Sequence, residues 1–124
     1  MLKARLSITK SFKNAFKGLS FVFLERNFFI QLTIGIVMLF LIIIFNLSYI
    51  EKIIVIFLIA IVLAAEAFNT AVEKLLDHIA PGPHHQVARI KDILAAAVFI
   101  ICLAALLIGI LIFAHLFSQS QIYA

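Results

Sequence analysis

Charge is the scarcest property of this sequence. Of 124 residues only 13% are Asp, Glu, Lys or Arg, while 65% are hydrophobic and the mean hydropathy is +1.22. A soluble domain of this length keeps a large share of its surface in water and cannot hide so much apolar surface, so a soluble fold is excluded. Tryptophan is absent and cysteine occurs once. Cys102 therefore has no partner for an intrachain disulfide, and in the middle of an apolar run it reads as a packing residue. The four glycines, Gly18, Gly35, Gly82 and Gly109, are scattered. Neither a Walker loop nor the Gly-rich and His-Arg-Asp loops of protein kinases can be built from them. His84 and His85 are adjacent rather than four apart on a helix, which is poor spacing for a zinc pair. Internal repeats and low-complexity tracts are missing too. Met1–Lys17 carries five basic residues but no compact apolar core with a cleavage site, so it does not read as a secretory signal peptide.

What remains is one all-α integral membrane domain over residues 1–124. Its first segment, about 6–24, has an amphipathic pattern. With Ile8 as reference, Phe12, Ala15, Phe16, Leu19, Val22 and Phe23 fall within about 40° on one side and 80° on the other. Lys10, Lys13 and Lys17 gather opposite, while Arg5 and Phe21 break the pattern. Lys3, Arg5, Lys10, Lys13, Lys17 and Arg26 all precede the first long apolar run. Such a cluster could attract nucleic acid, but interleaved phenylalanines favour an anionic lipid surface, and no nucleic-acid partner is expected. The alternative is a helix packed on the protein's own spans.

Three membrane spans follow, at about 28–46, 50–77 and 89–117. The first is interrupted by Gln31, Thr33 and Gly35. Ser48, three residues before Glu51, resembles a capping box at the start of the second. Ala80-Pro81-Gly82-Pro83 ends that second span, because proline cannot continue the hydrogen-bond ladder. His84–Ala88 is expected to be a linker. Six basic residues precede the first span, Lys52 alone sits in the first turn, and Lys74, Arg89 and Lys91 flank the second connection. None follows Phe117. The bias predicts a multi-pass protein with its N-terminus and His-containing loop in the cytoplasm and its C-terminus outside.

The second span carries the unusual residues. Glu66, Asn69, Glu73 and Asp77 lie at offsets of 3, 7 and 11 from Glu66. At about 100° per residue they form one narrow stripe. Carboxylates inside hydrocarbon are costly, so the stripe should face a polar cavity, a cation or another helix. From the outer end of this helix Glu66 is about 24 Å away, near the cytoplasmic edge of an apolar layer about 30 Å thick. Glu73 and Asp77 climb from there into water. At that depth a soluble reagent can meet the hydroxyl of a lipid.

A carboxylate in a low-dielectric setting can act as a general base. Further carboxylates beside phosphate-binding groups suit Mg²⁺, which takes a few protein oxygens and shares the rest with phosphates and water. Glu25, before the first span, is another acid at suitable depth, and Arg89, Lys91 and His84 could neutralise a polyphosphate. On these residues alone an ATP-dependent membrane enzyme and a proton- or cation-coupled transporter both stand. A non-catalytic assembly scaffold is a third reading. Against the transporter, no second bundle or inverted repeat is visible.

Glu66-Ala67-Phe68-Asn69-Thr70-Ala71-Val72-Glu73-Lys74-Leu75-Leu76-Asp77 resembles the signature Glu-x-x-Asn-[Ser/Thr]-Ala-x-Glu-x-x-x-Asp of the small prokaryotic diacylglycerol kinase family, which includes the undecaprenol kinases. Lys91-Asp92, then Ala95-Ala96-Ala97-Val98, follow at the family's spacing. Phe16-Lys17-Gly18-Leu19 and Glu25-Arg26-Asn27-Phe28 look like its entry to the first span. The similarity covers nearly the whole chain and is weakest at the termini. It implies a surface helix, three transmembrane helices and a homotrimer in a bacterial inner membrane. Active sites shared at subunit boundaries would transfer the ATP γ-phosphate to a lipid alcohol, either diacylglycerol or undecaprenol. By the same resemblance Glu66 is the catalytic base and Asn69 lies near the lipid hydroxyl, while Glu25 and Glu73 hold Mg²⁺ with the nucleotide. Lys91 and Asp92 contact the nucleotide, with Gly82, Pro83 and His84 beside it. Asp77 and Lys17 stand as nucleotide or structural positions. Ala95, Ala96 and Ala97 allow close helix approach. The chain departs from the family where members often carry an arginine four residues after the first acid and a histidine or glutamine two further on. Here these are Phe29 and Gln31, and Gly18 to Glu25 is one residue shorter. Both departures concern the lipid-contacting side.

Overall fold

A computed structural model describes the backbone of residues 2–122 and the side chains of residues 7–119. Lys3 and Arg5, two members of the basic cluster, fall outside the described side chains. Four helices follow in order: α1 Leu2–Val22, α2 Arg26–Ile44, α3 Tyr49–Ile79 and α4 His85–Ile122. The last three are each long and apolar enough to cross a membrane.

Local chemistry sets the boundaries. After Val22 the chain tightens: the amide of Leu24 bonds to the carbonyl of Phe21, and that of Glu25 to Val22. Glu25 then turns extended as the residue capping α2. Phe23 and Phe28 meet edge to face at 5.5 Å across this break. At the other end of α2, Phe45 is extended and Leu47 tucks in, leaving a connection of a few residues before α3. The expected capping box is formed. Glu51 donates its amide to the Ser48 hydroxyl at 3.3 Å, and the Ser48 amide donates to the Glu51 carboxylate at 2.7 Å. Beyond Ile79 the run Ala80–Pro83 stops α3, with Gly82 at φ +109°, a conformation that glycine alone adopts without strain.

Two expectations need correction. The segment 84–88 is not a linker, since α4 begins at His85 and Ala88 already donates its amide to the His84 carbonyl at 3.0 Å. Once Pro83 is passed, nothing in His84–Ala88 breaks the ladder, so the helix starts as early as the prolines allow. The helix ends also differ from the pattern by a few residues. Helices α1 and α2 stop at Val22 and Ile44, whereas α3 and α4 run past the expected ends. Apolar periodicity marks the part that faces hydrocarbon, not the polar turns that continue the helix beyond it.

Helix α3 is the central element, packed by α2 on one side and α4 on the other. The buried core lies toward the α2–α3 turn, where Ile42, Leu47, Val55 and Ile112 cluster, joined by Phe45 edge to face with Phe113. Farther along, α2 approaches α3 closely at Gly35, where an added Cβ would come within 2.9 Å of the Ile59 side chain. Among the described residues, helix α1 packs along none of the others. Its Ile8, Phe12 and Phe16 are exposed, so the packing of α1 on the protein's own spans does not occur within one chain. Only 6% of the apolar part of α4 is buried, which leaves most of that helix for lipid or another subunit.

The α2–α3 contact is sensitive to bulk at position 35. Gly35→Leu should lower stability by about 1–3 kcal/mol, the usual cost of overpacking a helix interface. Thermal unfolding in detergent measures this, and an unchanged midpoint would show that the helices do not meet there.

Candidate functional site

The polar stripe of α3 lies against α2 and α4. Glu66 is 3% exposed and Asn69 6%, both among the most buried residues of the chain. Two amides hold the carboxylates. Gln31 Nε2 of α2 donates to Glu66 Oε2 at 3.2 Å, and Asn69 Nδ2 donates to Glu73 Oε1 at 3.2 Å. Because a carboxylate only accepts, each amide must turn its nitrogen toward it. The remaining carbonyl oxygens, Gln31 Oε1 and Asn69 Oδ1, are buried without a partner. Asn27, one turn before Gln31, also faces the Glu66 carboxylate. Glu66, Asn69 and Glu73 line a cavity of about 270 Å³ with Asn27, Gln31 and, from α4, Ala95, Val98, Phe99 and Cys102.

A second cavity of about 410 Å³ opens where the chain turns from α3 to α4. Asp77, Gly82, Pro83, His84, His85 and Lys91 line it. Lys91 Nζ forms an ion pair with Asp77 across the proline turn, tying the start of α4 to the end of α3. Glu73 and Asp77, and likewise Lys91 and Ala95, are four residues apart, so the two cavities are separated by one helical turn, about 6 Å. One is lined by the buried Glu66, the half-buried Glu73 and amides, the other by Asp77, Lys91 and a loop.

Glu25 lies on the same side of the molecule. Its own side chain does not cap α2. Instead it reaches Lys74 Nζ at 2.6 Å. Lys74 also lies within electrostatic reach of Asp77 and Glu73, so three carboxylates already gather around one ammonium group. Among the described residues no group of three or more His, Cys, Asp or Glu side chains could hold a metal unaided. Mg²⁺ needs only one or two carboxylates when phosphates and water complete its shell, and hard oxygens around a cation suit it. The residues therefore fit that ion.

Of the residues expected at the site, the first cavity brings together Glu66, Asn69 and Glu73, and the second Asp77, Gly82, Pro83, His84 and Lys91. Asp92 is exposed and lines neither cavity. Lys17 stands on α1, its carbonyl accepting the Ser20 hydroxyl. Asp77 is exposed and pairs with Lys91. Gln31, Asn27 and Cys102 line the first cavity although they are not among the site residues expected from the sequence. The signal for Gln31 was there: a polar residue inside an apolar span seldom faces lipid.

Fold and site together define a small all-helical membrane protein with a buried acid, Glu66, on its central helix and less buried acids farther along it. The sequence matches the family model described as prokaryotic diacylglycerol kinase over residues 13–113, and the chain belongs to that family. A comparison with curated proteins returned no match. Membership decides between the readings left open by the residues: the chain is a membrane-embedded lipid kinase, not a transporter.

The two kinds of polar contact should separate on mutation. The Lys74–Glu25 and Lys91–Asp77 pairs are each at least partly exposed. Asp77→Ala should therefore change stability by no more than about 1 kcal/mol, and Lys74→Ala should leave the midpoint nearly unchanged. Asn69→Leu leaves the half-buried Glu73 without its donor and should cost about 1–3 kcal/mol. Unfolding midpoints in one detergent test this, and a reversed order would refute the assignment of buried and exposed contacts.

Proposed function

We propose that the chain transfers the γ-phosphate of ATP to the hydroxyl of a membrane lipid, with Glu66 as the base. The observation that carries this is the nearly complete burial of Glu66 in a small cavity, one turn from a cavity lined by Lys91 and the Pro-Gly-Pro loop. An oily alcohol can reach the first and a soluble triphosphate the second.

In the reaction the lipid oxygen attacks the γ-phosphorus, the bond from that phosphorus to the bridging oxygen breaks, and ADP leaves. Glu66 takes the hydroxyl proton as the new bond forms. Asn69 keeps Glu73 oriented through its amide, and its own carbonyl oxygen is available to the incoming alcohol. Lys91, released from Asp77, neutralises phosphate charge, and Gly82, Pro83 and His84 line the nucleotide's side. Asp92, at the next position on α4, contacts the nucleotide from outside this cavity. Glu25 and Glu73 would hold Mg²⁺, which when bound screens the charge on the phosphates. Phosphoryl transfer depends on alignment more than on covalent help, so a rigid helical frame suffices.

The active form is a homotrimer with sites at subunit boundaries. The poor coverage of α4 and the exposed Ala95, Ala96 and Ala97 on its cytoplasmic half support this. The bias of basic residues supports a cytoplasmic N-terminus in a bacterial inner membrane, with α1 on the anionic lipid surface. The acceptor is diacylglycerol or undecaprenol, and the Glu25-Arg26-Asn27-Phe28 entry with the paired histidines favours undecaprenol.

Purified protein with radiolabelled ATP, Mg²⁺ and each lipid in the same detergent tests the reading. A labelled chloroform-soluble product is expected, with the faster initial rate identifying the lipid. Glu66→Gln should lower turnover by at least about 10³-fold while ATP binding persists. Wild-type turnover in that variant would remove Glu66 from the mechanism.

A further inference from the structure

We infer that Gln31 is the positioning residue for Glu66, holding in place the carboxylate that receives the lipid proton. The inference rests on the reading of Glu66 as the base. Gln31 and Glu66 lie on different helices, 35 residues apart, and their side chains meet in a direct bond of 3.2 Å. One turn farther along α2, Gly35 lets Ile59 of α3 come close enough that a Cβ would touch it. The absence of a side chain at 35 draws the helices together and brings the amide of residue 31 within reach of the acid.

The bond has two consequences. Glu66 Oε2 is engaged by Nε2, so the carboxylate cannot spin freely. The amide itself is fixed as well, because its nitrogen must face the acid. Its oxygen is thereby held as a buried acceptor without a partner. A glutamine packed only for shape would have no reason to remain in that arrangement. Gln31 lines both the acid cavity and the adjoining apolar cavity bounded by Gly35, Met38, Val62 and Ala105. It thus stands where a lipid passes from its hydrocarbon part to its hydroxyl. Asn27, one turn earlier on α2, is a second side-chain hydrogen-bonding partner of Glu66, and the Gln31 bond is the one that engages Oε2.

The test compares Gln31→Met, Gln31→Asn, Gln31→His and Glu66→Gln in the full-length chain, in detergent with MgATP and the lipid that wild type turns over faster. Methionine keeps the length and removes the donor, asparagine keeps the amide but withdraws it by one methylene, and histidine offers a ring N–H. Met and Asn should each lower kcat about tenfold to a hundredfold, with KM for ATP unchanged and the thermal midpoint of the Asn variant close to wild type. Gln31→His should recover most of the lost kcat. Wild-type kcat in both the Met and Asn variants, or a loss confined to lipid KM, overturns the inference. Failure of the underlying reading looks different, because Glu66→Gln would then retain turnover whatever happens at position 31.

Discussion

Everything in this structure turns on keeping one carboxylate out of water and out of lipid at the same time. Glu66 cannot face hydrocarbon, where an ionised acid is strongly disfavoured, and it is too buried to be hydrated freely. The solution is a small lined cavity with amide donors. That requirement dictates much else: a glycine on α2 so that its helix approaches, a glutamine one turn away, and small or soft residues from α4 on the remaining wall. The acids farther along the stripe are progressively easier to accommodate. Glu73 is half-buried with one amide donor, and Asp77 is exposed with a lysine. The gradient follows the change from hydrocarbon to water along a single helix.

Such a gradient is also why so much of the fold could be read without coordinates. Hydrophobic runs near the thickness of a bilayer locate three spans, and the stripe at near-heptad spacing is unmistakable because polar residues in such runs are rare. Short-range rules performed well: the Ser48–Glu51 box and the stop at Pro81 depend only on neighbours in sequence. Contacts across helices were illegible. No spacing rule joins residue 31 to 66, or 25 to 74, because those pairings depend on how close the helices come. That closeness depends on Gly35, which in sequence is one scattered glycine among four. The early start of α4 escaped notice for another reason. Histidines after prolines resemble a loop, yet none of the residues after Pro83 opposes a helix.

The single chain is not a finished object. Among the described residues only five large apolar side chains, Phe28, Ile42, Leu47, Val55 and Ile112, are buried, and they gather mostly near one end. In water this would be fatal. In a bilayer the exposed leucines, isoleucines and phenylalanines are already in a compatible solvent, so burial is no longer the force that holds helices together. Association relies instead on close fit and polar contacts, and α2–α3 shows both, at Gly35 and at Gln31. The contact that tightens the helix pair and the contact that orients the acid are therefore neighbours on the same face.

That coincidence has a chemical logic for a lipid kinase. Transfer of a phosphoryl group demands little covalent assistance but strict alignment of donor and acceptor oxygens. A surface loop would be a poor place for the residue that meets the acceptor, because loops sample many geometries. A helix pair closed by a glycine contact is stiff, and an acid held there by an amide is restricted in both position and rotation. In the proposed reaction the aqueous side needs the opposite property, since a soluble triphosphate would have to enter there and ADP to leave. The partly exposed pairs Lys91–Asp77 and Lys74–Glu25 can open at little energetic cost. Rigidity on the lipid side and loosely held charges on the aqueous side are thus consequences of depth. Polar bonds grow strong where water is excluded and weak where it is not, and the polar stripe of α3 runs through both regimes.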